Sequence, residues 1–371
     1  MPASVLLPLA LFYCLLIVIF AVAAQRARYP RDPGFRPTVT VVVAARNEEH
    51  NIRACLESLL RMRYPAGLLE ILVIDDHSTD RTADIVRELA ANNPHVKLLA
   101  AGPPQPPLLG KPSALAYAMD HVSSDIVLFT DADCRVSETW AEVTASYFAD
   151  PGVGLVAGFT HLQGKGAFAG MQALDWFALF TAAAGAVSVR YPLTAVGTNL
   201  SIRRSAYEQV GGFRGIPFSV TEDYALFHAV TTRTNFRAAF PMDARTLVQS
   251  DPCADWPQLY RQKKRWFTGG RGMDAVTLTL FALLYLFHVA LLVGLVAGTW
   301  TLVLQVFLLK LLADTIFVLP AILRFRALPM LRYMLAFELF FFLYVLIFPP
   351  ITLFARTVAW KGRAYGGASQ G

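Results

Sequence analysis

The chain has 371 residues, 55% hydrophobic and only 16% charged, with 33 Lys and Arg against 27 Asp and Glu. The charge deficit falls at the ends: residues 1–24 hold no charged side chain, and residues 275–371 hold seven basic and two acidic ones. Residues 25–274 are thus a nearly neutral globular segment with enough chain for a sizeable core, which excludes disordered, collagen-like and disulfide-scaffold classes and argues against a nucleic-acid binder.

Ser4 to Ala24 is apolar over the roughly 20 residues a spanning helix needs. No Lys or Arg precedes it, as a signal peptide requires, whereas Arg26, Arg28 and Arg31 follow. Residues 1–24 are therefore expected to be a retained transmembrane anchor, with residue 25 onward in the cytoplasm.

Thr38 to Ala45 is a β-branched run of buried-strand type, after which Asn47-Glu48-Glu49 opens a helical pattern through Leu60. Glu70–Ile74 predicts a second strand with Asp75–Asp80 as its exit loop, where Ser78 or Thr79 can cap a helix through Leu89. A short third strand at Lys97–Leu99, a helix over Ser113–Met119 and a fourth strand over Asp125–Thr130 complete the series. Repeated strand–helix units with apolar strands predict an α/β fold with a mostly parallel sheet covered on both faces. Ligands bind beyond the carboxyl ends of such strands, where Asp75-Asp76 and Asp131-Ala132-Asp133 occur.

Ala167–Val189 is apolar enough to span a bilayer, but spanning would put Asp133 and Asp223 on opposite sides. It is expected to be a buried or interfacial helix, and an interfacial one would guide an apolar acceptor. Residues 274–371 predict a membrane domain of two to four segments. Two crossings lie within Ala275–Leu323, and Met334–Phe354 is either a further crossing or a hairpin turning at Pro349-Pro350. Lys310 and Asp314, four apart, are read as neutralising each other within one helix. Cys14, Cys55, Cys134 and Cys253 show no CxxC spacing and read as free thiols in a reducing compartment.

Asp131 and Asp133 alternate along one loop, so both can face a hard divalent cation bridging to a diphosphate. Gly110-Lys111 precedes a helix, where backbone N–H groups and a lysine favour a phosphate. Thr221-Glu222-Asp223 offers an acidic pair able to accept a proton, although acids at a helix start need no special site. Gln262-Lys263-Lys264-Arg265-Trp266 supplies an arginine for a diphosphate and a flat ring for a sugar, and taken alone reads better as a basic membrane flank with an interfacial Trp.

In order, Asp-Asp, DxD, TED and QxxRW resemble the inverting family 2 glycosyltransferases of GT-A fold. Gly197-Thr198-Asn199 and Arg203–Tyr207 with Gly211-Gly212-Phe213 add to the likeness, which covers residues 36–273. The resemblance implies Asp75 or Asp76 at the nucleotide, Asp131 on nucleotide or metal, and Asp133 on Mg2+ or Mn2+. It further implies Asp223 as base beside Glu222, and Gln262, Arg265 and Trp266 at diphosphate and acceptor, with Lys111 on the donor. The reaction expected is sugar transfer from a nucleotide sugar, UDP-linked by expectation, to a membrane lipid, with Trp176 at the acceptor. A processive polysaccharide synthase is the alternative, since such enzymes share TED and QxxRW.

Overall fold

The computed structural model describes residues 3–103, 106–269, 274–354, 358–360 and 363–365. The first half of the chain runs α1 (Ala3–Arg26), β1 (Val39–Ala45), α2 (Ile52–Leu60), β2 (Leu69–Asp75), α3 (Thr82–Ala91), β3 (Val96–Ala100), α4 (Lys111–Met119), β4 (Ile126–Asp131), β5 (Arg135–Val136), α5 (Trp140–Ser146), β6 (Val153–Ala157), β7 (Thr160–Leu162) and α6 (Ala167–Ser188). It continues through β8 (Leu200–Arg203), α7 (Arg204–Gln209), α8 (Glu222–Arg233), β9 (Arg237–Ala239), β10 (Val248–Ser250), α9 (Trp256–Gly269), α10 (Ala275–Val296), α11 (Trp300–Arg324), α12 (Met334–Phe354), and the short antiparallel pair β11 (Val358–Trp360) and β12 (Arg363–Tyr365).

These elements form two compact units. One comprises Ala27–His161 and Arg190–Asp251, and the other Met1–Arg26, Leu162–Val189 and Pro252–Gly371. This division differs from a single catalytic segment over residues 36–273, because α6 and α9 cluster with the terminal helices. For α6 the reason is its surface. α6 is apolar nearly all round, and such a helix needs cover on every side, which other helices provide.

In the sheet unit, seven strands lie in the order β3-β2-β1-β4-β8-β6-β9. β3, β2, β1 and β4 are parallel, and β8 pairs antiparallel with β4. Val39, Val41, Val42 and Val43 of β1 are all buried, as expected of a strand covered on both faces. Helices α2, α3 and α5 cover one face through Ile52, Leu56, Val86 and Trp140. Because β1 leads to β2 on one side and lies beside β4 on the other, the strand order reverses at β1. Such reversals open a crevice at the carboxyl ends.

Two local expectations are corrected. α2 begins at Ile52 rather than at Asn47, because Asn47 adopts a left-handed backbone with φ of 52°. Its side chain instead ties two loops together, accepting from the Thr79 N–H at 2.8 Å. Neither Ser78 nor Thr79 caps α3; Asp80 Oδ1 accepts from the Thr82 N–H at 3.0 Å.

In the helical unit, Ser4–Arg26, Ala275–Val296, Trp300–Arg324 and Leu328–Ile351 are long and apolar enough to cross a membrane. α12 continues through Pro349 and Pro350, so the hairpin at those residues is corrected to a helix. Two lost backbone bonds near a helix end leave fewer polar groups unpaired in hydrocarbon than a chain reversal would. α6 is buried, with Phe177 and Phe180 at most 1% exposed. Gly185 admits the α1 backbone closely, since a Cβ there would meet the Phe20 carbonyl oxygen at 2.4 Å.

Candidate functional site

The strand register brings two of the acidic motifs to one edge. Asp75 ends β2 opposite Ala45 of β1, and Asp131 ends β4 opposite Ala44. Two strand spacings separate these aspartates, about 10 Å, and only small side chains stand between them. Asp75 Oδ2 accepts from the Ser78 N–H at 3.4 Å, while its buried Oδ1 has no partner among the described residues. A buried orphan oxygen at a crevice suits a donor from a ligand. Asp76 differs, since it is buried and its carboxylate lies 3.9 Å from the Arg46 guanidinium. Arg46 also donates to the Asp76 carbonyl at 2.9 Å. Arg46 carries no motif in the sequence; its one signal is a charge placed directly after a strand that is apolar but for Thr40.

On the other side of β1, a small cleft is lined by Lys111, Asp131, Gly197, Glu222 and Asp223, with Phe129 among its apolar walls. Lys111 opens α4 after Gly110 and lies at the centre. Its Nζ is 2.5 Å from Asp131 Oδ1 and 3.0 Å from Glu222 Oε1. Burial alone would push this ammonium towards neutrality. The carboxylates of Asp131, Glu222 and Asp223 more than reverse that and hold it above the ordinary lysine range. The DxD and TED motifs, 91 residues apart in the chain, are thus joined by one lysine.

Asp223 sits in the first turn of α8, and backbone fixes both of its oxygens. Oδ2 accepts from the Gly197 N–H at 2.6 Å, and Oδ1 from the Tyr224 N–H at 2.8 Å. A carboxylate has about four lone-pair sites, so these two N–H bonds do not exhaust it as an acceptor. Gly197 has a local reason to be glycine: a Cβ would lie 3.3 Å from Asp223 Oδ2 and 3.6 Å from Lys111 Nζ. Asn199 anchors the loop that carries Gly197. It accepts from the Trp140 indole at 3.0 Å and donates to the carbonyls of Phe159 and Thr246, each at 2.9 Å. Asn199 is therefore a positioning residue whose role needed the fold to become visible.

Asp133 follows in the loop after β4. Asp131 and Asp133 are both half-buried, and a pair of carboxylate oxygens matches the few protein ligands Mg2+ or Mn2+ takes beside a diphosphate. Among the described residues no group of three or more His, Cys, Asp or Glu could hold a metal by itself. Cys134, next to Asp133, is fully buried, and burial pushes its thiol well above the usual range, so it packs rather than attacks.

Gln262, Arg265 and Trp266 belong to the helical unit, half-buried at i, i+3 and i+4 on one face of α9. Lys263, in the same motif, is buried against Asp175 of α6, and its ammonium lies 4.4 Å over the Trp266 ring. Trp176 packs against Trp266 and Phe180, with ring centroids 5.6 Å apart in both pairs. Trp176 is 4% exposed, packed against these two rings.

Residues 40–222 match the family described as glycosyl transferase family 2. The probable glycosyltransferase YdaM of Bacillus subtilis is 30% identical over 250 residues, 63% of this chain and 56% of that protein. A beta-monoglucosyldiacylglycerol synthase of Nostoc sp. is 28% identical over 263 residues, 67% of this chain and 52% of that protein. A poly-beta-1,6-N-acetyl-D-glucosamine synthase of Staphylococcus aureus is 26% identical over 241 residues, 62% of this chain and 54% of that protein. The chain thus spans little more than half the length of the curated relatives it matches. In fold, it is similar to a mannosyltransferase from Pyrobaculum calidifontis solved with GDP-Man and Mn2+, at 20% identity and a TM-score of 0.57, covering 91% of this chain and 95% of that one.

Proposed function

With residues 40–222 belonging to glycosyl transferase family 2, we propose that this enzyme transfers one sugar from a nucleotide sugar to a hydroxyl or carboxyl group of a membrane lipid, inverting the anomeric centre. The observation that carries the reading is the cleft in which Asp223, fixed by two backbone N–H groups, stands beside the Lys111–Asp131–Glu222 cluster. A carboxylate so fixed suits a general base that takes the acceptor proton as the hydroxyl attacks. Attack from the side opposite the departing nucleoside diphosphate inverts the linkage, so an α-linked donor gives a β-glycoside. No covalent nucleophile on the chain is required.

Asp75, through its open oxygen, is assigned to the nucleotide, and Asp76 holds the loop with Arg46. Lys111 exchanges a carboxylate for a phosphate oxygen when the donor enters, so no new charge need be imported. Asp131 and Asp133 would hold Mg2+ or Mn2+, which supplies charge neutralisation to the leaving diphosphate. Support comes from their oxygen donors and from a fold neighbour solved with GDP-Man and Mn2+. Arg265 is assigned to the diphosphate, and Gln262 and Trp266 to the acceptor, on the strength of the QxxRW motif.

A lipid acceptor is supported by the four apolar helices and by a relative named as a glucosyldiacylglycerol synthase. The basic residues after α1 support integration in the cytoplasmic membrane with the sheet unit in the cytoplasm. The test is incubation of the purified full chain with a panel of nucleotide sugars and membrane lipid extract, followed by mass analysis of the organic phase. One sugar on a lipid, β-linked from an α-linked donor, is expected. A water-soluble polymer as the main product would replace the reading with a processive synthase, and an α-linked product would remove inversion. Asp133→Asn is expected to weaken metal-dependent binding of nucleoside diphosphate, and unchanged metal dependence in calorimetry would dismiss the DxD assignment.

A further inference from the structure

The helical unit holds a second ionic cluster, which the proposed transfer does not use. Tyr13 of α1, His288 of α10, Lys310 and Asp314 of α11, and Glu338 of α12 are all at most 5% exposed. Each lies at least eight residues from both ends of its apolar segment. That leaves about 12 Å or more of helix on either side, which puts the cluster near the middle of a hydrocarbon layer about 30 Å thick.

The bonding is asymmetric. The Lys310 ammonium donates to Asp314 Oδ2 at 2.6 Å and to Glu338 Oε2. Tyr13 donates its hydroxyl to Asp314 Oδ1 at 2.5 Å, so both oxygens of Asp314 are satisfied. Glu338 Oε1 is buried and has no partner among the described residues. His288 Nδ1 lies 2.8 Å from the Leu284 carbonyl. A carbonyl only accepts, so Nδ1 carries the proton and Nε2 is left as a lone pair, also buried and unpartnered among the described residues. His288 and Lys310 share the rings of Tyr13 and Phe341 as neighbours.

One ammonium faces two carboxylates, so the cluster is one positive charge short. A buried, unpaired charge is expensive in hydrocarbon. We propose that the missing charge is a proton on Glu338 Oε1, and that the cluster is a proton-binding site inside the helical unit. An alkali or divalent cation needs several oxygens, and among the described residues Glu338 Oε1 is the one carboxylate oxygen of the cluster without a partner, whereas a proton needs a single lone pair. Cys14, next to Tyr13 in the chain, is a free cysteine, and a thiol carries no positive charge.

Infrared difference spectroscopy on the full chain in lipid nanodiscs tests this. A carbonyl stretch of a protonated carboxyl group is expected at neutral pH. It should shift on 13C-glutamate labelling but not on 13C-aspartate labelling, and should vanish in Glu338→Gln. Glu338→Gln should also keep a thermal midpoint close to that of the parent, because a neutral amide replaces a neutral acid. Absence of the band from the labelled parent protein overturns the proposal. So does a thermal midpoint that rises with Na+ or K+ in the parent and not in Glu338→Gln, which would make the site one for an alkali ion. If Glu338→Gln fails to fold, the labelled parent spectrum decides alone.

Discussion

Each unit buries a lysine among carboxylates, and the two clusters differ in what surrounds them. Around Lys111, the side chains of Lys111, Asp131 and Glu222 are 16%, 31% and 7% exposed and line an open cleft. Around Lys310, the side chains of Lys310, Asp314 and Glu338 are 2%, 6% and 0% exposed, walled by Tyr13, Phe341 and neighbouring helices. The same chemical groups therefore have different uses. Where water reaches the ions, a diphosphate or a metal can take the place of a partner, and the cluster can work as a binding site. Where it does not, the only species that can arrive is one small enough to need no opening.

The largest expected effect tests the open cluster. Asp223→Asn should lower turnover by about 10²–10⁴-fold with donor binding nearly intact, because the base acts on the acceptor. Steady-state rates beside donor titration check this, and near-parental turnover would remove Asp223 from the chemistry. In the closed unit, Trp176→Ala should cost about 3–5 kcal/mol of stability, as for other buried aromatics. A raised apparent Michaelis constant for lipid with an unchanged thermal midpoint would instead place Trp176 at the acceptor. Asn199→Ala should cost about 2–4 kcal/mol, since it strands the Trp140 indole and two carbonyls. Denaturant unfolding measures it, and a loss below about 1 kcal/mol would mean that water replaces the amide.

The smallest effect sharpens the comparison most. Lys111→Met should weaken nucleoside diphosphate binding by about ten- to a hundredfold, the scale of a hydrogen bond to a charged group. Its pH dependence has a definite sign. Lys111 is held above the ordinary lysine range, so its contribution to stability is complete below about pH 10.4, where an unfolded lysine titrates. That contribution declines only as pH rises through the higher folded value. The stability difference between parent and Lys111→Met should therefore be flat from pH 7 to about pH 10 and shrink beyond. A difference that already shrinks between pH 7 and 9 would mean that the carboxylates do not hold the lysine charged.

Composition and period were enough to read the parallel strands, the acidic strand ends and the apolar terminal helices. A strand buried on both faces has few sequences open to it, and Val39–Val43 is one. The DxD and TED motifs were legible as types, but their junction through Lys111 was not, because nothing in the spacing of residues 111, 131 and 222 encodes a shared point. The caps of α2 and α3 were misread for a related reason. Asn47, Ser78 and Thr79 are polar side chains with several possible backbone partners, and only the approach of the two loops selected one.

The sequence by itself determined local chemistry: which stretches are apolar, which strand ends carry carboxylates, and which lysines lie near them. Tertiary structure decided which of those groups share a dielectric. Lys310 and Asp314 read as a neutral pair along one helix until Glu338 arrived from the next, and the contact of Trp176 with Trp266, 90 residues away in the chain, needed the fold to appear. Periodicity reports the face of one element, whereas a charge balance or an occupied surface depends on the elements packed against it. That information resides in the packing between distant parts of the chain.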